Sequence, residues 1–254
     1  MITIGAADLD AWLAAFFYPF FRIAALASTA PLLSHPSVPR QARVALALLM
    51  TVLVAPTLPA VTPISPFSTV GLILIVEQVL AGMALGFTMQ IAFAAVELAG
   101  DMIGLQMGLS FAAFVDPQNS EQTPIIGGFL SLTLMLVFTA INGHLLLLSA
   151  LVDSFRAFPI TVDGVQGYDW HRLAAAGSQL FAAGLQIAMP VIGAMMLANL
   201  ALGVLTRTAP QLNLFAVGFP VTLIVGLLML LLGMPYLMPV LENIVHGGLR
   251  LFSR

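Results

Sequence analysis

Three carboxylates and one guanidinium stand where an apolar chain can least accommodate them. Glu77, Glu97 and Asp101 lie in or beside the long apolar region 67–116, and Arg22 interrupts the aromatic-rich segment 11–34. A carboxylate in a membrane segment points to a proton relay, an ion site or a contact with a partner, because an unpaired charge in hydrocarbon is costly. Glu97 and Asp101 are four residues apart and share one helix face. They either act in one of those ways or lie in water at a helix end. Glu77 either does the same or pairs with an Arg. Arg22 calls for a structural partner such as a carboxylate more than for a transport role. Arg207, the one charge between the uncharged stretches 173–206 and 208–241, joins them as a candidate for an ion pair within the chain or between subunits.

Enzyme chemistry has almost nothing to stand on. His144, in Asn142-Gly143-His144, has no second His or carboxylate at ligand spacing, so a neutral hydrogen-bonded imidazole is expected rather than a metal ligand. No GxSxG, GxxxxGK or HExxH occurs. With no cysteine there is no thiolate nucleophile, disulfide or iron–sulfur ligand. All eight basic residues are Arg and the net charge is −3, which is no footprint for nucleic acid. We therefore expect no catalysis, no cofactor and no metal.

The elements that carry these residues must be membrane-type helices. Of 254 residues, 60% are hydrophobic and 7% charged, against about 25% charged in soluble domains. Such a chain lives in lipid or in an apolar assembly that replaces lipid. The first basic residue is Arg22, so the N-terminus lacks the positive region of a secretory signal, and the apolar segments are expected to be mature structure. Pro56, Pro59, Pro63 and Pro66 punctuate a connector. Residues 67–116 contain no proline; as one helix they would run ~75 Å, against ~30 Å of hydrocarbon. That segment must break, fold back or project. Stretches 122–152, 173–206 and 208–241 are further long uncharged runs, and 153–172 is a polar connector. Pro190 and Pro235 predict kinks. About six long hydrophobic elements result, in a single domain 1–254. With six simple spans, Arg156, Arg172, Arg250 and Arg254 face Arg40, Arg43 and Arg207 across the membrane, and the positive-inside rule gives no orientation.

Two features concentrate near the end of 67–116. Gly100, Gly104 and Gly108 form a small-xxx-small face repeated twice, suited to close helix packing or to a break, and Gly82/Gly86 adds another. The piece QMGLSFAAFVDP, residues 106–117, is too short to span and ends on Asp116-Pro117. It reads as a packed or interfacial element, or as a pore-lining one. A small-solute transporter coupled through Glu77, Glu97 or Asp101 is the alternative function. It is disfavoured because residues 11–125 and 126–250 show no internal repeat.

Together the motifs resemble the FliR family of flagellar biosynthetic proteins and its virulence type III secretion counterparts. The resemblance rests on Arg22, Pro31, Pro39 and Arg43, then on Gly100, Gly104 and the 106–117 block. It continues through NGHL at 142–145, Phe158-Pro159, Ala188 and Pro190, and ends on LTRTAPQLNLFAVGFP at 205–220. The resemblance implies an all-α export-gate subunit of kinked helices and helical hairpins, built into a hetero-oligomeric helical assembly with P-type and Q-type subunits (FliP, FliQ). It implies FlhB and FlhA as further neighbours and unfolded exported proteins as cargo. The location implied is the bacterial inner membrane at the flagellar basal body, with part of the assembly above the membrane plane. The 106–117 block matches the family's re-entrant plug, with Met107, Phe111 and Phe114 as closing groups. Gly100, Gly104, Gly108, Asp116 and Pro117 then flank it. An apolar plug stops ions by dewetting yet deforms around a passing chain. Arg22, Glu77, Glu97, Asp101 and Arg207 are then better placed in pairing within the assembly than in a proton relay.

Overall fold

Helix is the only regular structure among the described residues, in keeping with the expected all-α class. The computed structural model describes residues 6–58, 63–109, 125–161, 170–209 and 214–250. In chain order they form α1 (Ala6–Thr29), the single turn α2 (Pro31–Ser34) and α3 (Arg40–Val54), followed by a 3-10 turn at Ala55–Thr57. Next come α4 (Thr69–Gln106), α5 (Ile125–Ala140), α6 (Gly143–Ala157), α7 (Trp170–Thr208) and α8 (Leu214–Arg250).

Four of these are long and apolar enough to cross a membrane, over Asp10–Thr29, Thr69–Gln106, Leu180–Thr208 and Ala216–Tyr236. The pair α5 and α6 makes a fifth when counted as one interrupted span. With 15 residues, α3 reaches only about 22 Å, short of the ~30 Å hydrocarbon layer. The prolines expected to mark kinks, Pro190 and Pro235, lie inside continuous helices, as do Pro19, Pro220 and Pro239.

Local chemistry explains the boundaries. Ser68 caps α4, its hydroxyl accepting the Gly71 amide at 3.0 Å while its carbonyl takes the Leu72 amide at 2.9 Å. From there α4 runs unbroken for 38 residues, ~57 Å, through Gly100 and Gly104. Of the three outcomes open to this segment, it neither breaks nor folds back there, so it must extend past a ~30 Å layer or lie oblique to it. It stops at Gly108, whose φ of 80° is left-handed. The Leu109 amide then bonds Gly104 O at 3.0 Å and the Gly108 amide bonds Leu105 O at 3.1 Å. This 6→1 and 5→2 pair is a Schellman stop, which wants glycine at the left-handed position. Between α5 and α6, Asn142 takes φ 55° and its carbonyl accepts the Leu145 amide at 2.8 Å; a short polar side chain tolerates that conformation. The polar stretch 153–172 begins inside α6, where Asp153 and Arg156 form an exposed pair at 3.8 Å.

Two compact units divide the chain, and α4 contributes to both. The first comprises Met1–Ile91, Asn142–Ala176 and Val245–Arg254; the second comprises Ala92–Ile141 and Gly177–Ile244. In the first, α1 buries Ala14, Tyr18, Arg22 and Ala25 along one face and packs with α3. The Tyr18 hydroxyl donates to Ile64 O at 3.0 Å, tying α1 to the proline-rich connector. In the second, α7 buries a seam of Gly184, Ala188, Val191 and Met195, and α8 buries Gly218, Gly226 and Leu230 with Thr222 half-buried on the same side. Spacings of three and four keep each seam on one side of its helix.

Candidate functional site

The described residues singled out from sequence divide between the two units. The first centres on Arg22, which is only 1% exposed. Its Nε donates to Gln78 Oε1 at 2.9 Å, Nη1 to Ser154 Oγ at 3.2 Å and Nη2 to Phe158 O at 3.0 Å. The guanidinium also lies 4.1 Å from the centroid of the Phe155 ring, a cation–π distance. Ser154 Oγ in turn donates to Leu151 O at 2.6 Å, so its hydroxyl accepts from the arginine and donates to its own helix. An amide, a hydroxyl, a carbonyl and an aromatic face thus stand at contact distance of the guanidinium. Such a planar, multi-donor fork suits arginine and not lysine. Glu77, buried on α4 beside Gln78, belongs to the same unit.

Close backbone approach holds α1 and α4 around this knot. A Cβ placed on Gly82 would run into the Arg22 carbonyl oxygen, with Ala25 Cβ 2.9 Å away. One turn on, a Cβ on Gly86 would strike the Thr29 side chain. The Gly82/Gly86 face is thus a real crossing surface.

In the second unit, the glycine series has three distinct fates. Gly100 meets the backbone of α5: a Cβ there would collide with Gly127 Cα and lie 2.6 Å from Gly127 N. Gly104 has room, with Ile126 Cγ1 at 3.8 Å. Gly108 is the helix stop described above. Glu97 is exposed, whereas Asp101 is half-buried and its Oδ1 is enclosed with no hydrogen-bond partner among the described residues. Arg207 is exposed near the end of α7. The Phe93 and Phe138 rings meet edge-to-face at 6.2 Å.

Of the 106–117 block the structure describes residues 106–109, and Met107 among them is fully buried. Its side chain occupies the space beside Gly226, where an added Cβ would lie 2.5 Å from Met107 Cγ and 2.7 Å from Sδ. The Thr222 hydroxyl approaches Met107 O at 3.4 Å and Phe219 O at 2.9 Å. Phe111, Phe114, Asp116 and Pro117 lie outside the described residues.

Several residues that do this work were not singled out from sequence: Gln78, Ser154, Phe155, Gly127, Thr222 and Gly226. Gly127-Gly128, three residues after Pro124, carried a usable signal, and so did the eight-residue spacing of Gly218 and Gly226. Gln78 and Ser154 carried none, since a lone polar residue in an apolar helix does not name its partner. Among the described residues no group of three or more His, Asp or Glu could hold a metal ion.

Membrane-length helices, joined around a buried arginine and by glycine-to-backbone crossings, define an all-α membrane protein whose built features are helix-packing contacts. Residues 13–248 match the bacterial export proteins, family 1, and the chain belongs to that family. It is 45% identical to the flagellar biosynthetic protein FliR of Escherichia coli (strain K12), over 96% of this chain and 93% of that one. The protein of the same name from Pectobacterium carotovorum subsp. carotovorum is 43% identical over the same shares. That of Bacillus subtilis (strain 168) is 34% identical over 91% of this chain and 90% of its own. The chain is a membrane component of flagellar biosynthesis and protein export.

Proposed function

We propose that this chain, acting as one subunit over 1–254, gates the flagellar type III export channel and carries out no catalysis. P-type and Q-type subunits, FliP and FliQ, complete the gate; FlhB and FlhA adjoin it, and unfolded flagellar proteins are its cargo. The observation that supports this most is the family match over residues 13–248, which takes in both specific blocks, 106–117 and 205–220. In this reading Phe111 and Phe114 close the channel with Met107 at their base, and Asp116-Pro117 ends the plug. Dewetting between such apolar groups blocks ions while leaving room for deformation.

The surface of the helices fits an assembly in the inner membrane at the basal body. Only 22% of the most apolar stretch of α7 and 17% of that of α8 are buried, against 50% for α4. Leu197, Leu200 and Leu231 are each about 70% exposed. Faces of that kind need lipid or neighbouring subunits to cover them. Pairing within the assembly is the role assigned to Glu97, Asp101 and Arg207.

Reconstitution with the P-type and Q-type subunits tests the gate. Complexes carrying Phe111→Ala and Phe114→Ala together are expected to leak ions in the closed state. A complex that assembles normally and stays as tight as the parent would remove the plug assignment.

A further inference from the structure

We propose that Met107 is a positioning residue, seated on α8 as a fixed joint that holds the end of α4 to α8 through the export cycle. Two contacts on one face of α8 make the seat. Thr222 and Gly226 are four residues apart and therefore stacked on that face. The Thr222 hydroxyl approaches the Met107 carbonyl, and Gly226 leaves the notch that the Met107 side chain fills.

The position of Met107 in its helix explains why this residue needs such a seat. It is the last residue before the left-handed Gly108, so the Schellman stop uses the carbonyls of Gly104 and Leu105 and leaves that of Met107 outward. A helix-terminal carbonyl in an apolar setting needs a donor, and the Thr222 hydroxyl stands 3.4 Å away, its one proton shared with Phe219 O at 2.9 Å. The thioether is unbranched and adaptable, which suits it to a slot left by a missing side chain. The seat matters to α8 in particular because that helix buries so narrow a seam: Gly218, Gly226 and Leu230, with Thr222 half-buried on the same side. Two of those four positions receive Met107. The joint depends only on described residues of one unit and stands whether or not the residues after it block a channel.

The chain has no cysteine, so a disulfide can be introduced without background. Met107→Cys/Gly226→Cys in the full-length protein, in flagellated cells lacking their own copy, is expected to cross-link on mild oxidation; the side chains start close to the ~3.5–4.5 Å Cβ separation a disulfide spans. Cells with the locked protein are expected to export flagellar subunits at the rate of the reduced form. Failure to cross-link in a protein that is present at normal abundance would overturn the adjacency. Cross-linking that stops export, with recovery on reduction, would overturn the fixed joint.

A size exchange gives a second, independent arm. Gly226→Ala is expected to cut membrane-inserted protein and export about tenfold, the scale of one overpacked core site. Met107→Ala is expected to leave abundance near normal and lower export per inserted molecule, with Met107→Leu restoring it. Met107→Ala/Gly226→Ala together are expected to recover most of the Gly226→Ala loss, because the new methyl then enters the vacated slot. Losses that simply add would sink the proposal. A leak-free Phe111→Ala/Phe114→Ala gate, by contrast, would count against the gating role alone and leave the cross-link and the exchange standing.

Discussion

Both units hold apolar helices together through glycine crossings, Gly82 and Gly86 in the first and Gly100 in the second, but the first adds a polar knot. The first places a charge at its centre and surrounds it with directional partners: Arg22 reaches Gln78, Ser154, Phe158 and the Phe155 ring. The second works by removing side chains, so that Gly100 meets the Gly127 backbone, Gly184 meets Ala95 O and Gly226 admits Met107. In an apolar medium the hydrophobic effect cannot tell one helix face from another, so specificity comes from hydrogen bonds or from close shape. A polar knot specifies partners by geometry of donors. A glycine crossing specifies them by distance alone.

The strongest way to break this contrast is to remove the charge. Arg22→Leu leaves Gln78 and Ser154 with an unpaired site each, and a cost of about 4 kcal/mol is expected from several unmet buried groups. Thermal unfolding of the purified protein in detergent measures it. Arg22→Lys is expected to lose about half as much, because one ammonium cannot reach three acceptors in a plane. A Lys variant as stable as the parent would show that the charge and not the fork matters.

Gly100→Ala ranks next, at about 3 kcal/mol, since the clash is with backbone and no rotamer can relieve it. Gly104→Ala should do the reverse despite being on the same sequence repeat. Its nearest neighbour is at ordinary contact distance, so the helix-propensity gain of about 0.5–1 kcal/mol should show. Equal effects at the two glycines would undo the claim that the second unit is keyed by distance. Smallest of all is Arg156→Gln. That pair with Asp153 is exposed and 3.8 Å apart, and a change within about 0.5 kcal/mol in the same melting experiment is expected.

Periodicity and composition carried the fold class a long way. A helical, membrane-type chain was legible, whereas the polar stretch 153–172 starts inside α6 and ends inside α7, and the helix of the proline-free run ends at Gln106. Gly100, Gly104 and Gly108 looked alike on the page because all three share one spacing. Their roles diverge because one meets a crossing backbone, one faces a gap and one turns the chain. Met107 belonged to a specific block, but its burial against Gly226 depends on a helix more than a hundred residues later in the chain.

Arg22 shows where the division lies. From its apolar neighbours alone it follows that the guanidinium must be satisfied, since an ion in hydrocarbon without partners is too costly to persist. Likewise the shortage of charge dictates that most of this surface is covered by lipid or protein. Which groups satisfy the arginine does not follow, because they lie 56, 132 and 136 residues away along the chain. Helical periodicity reports only which face a residue occupies within its own helix. Which faces meet, and which glycine becomes a crossing, is decided when helices pack, by steric fit between surfaces that no local pattern encodes.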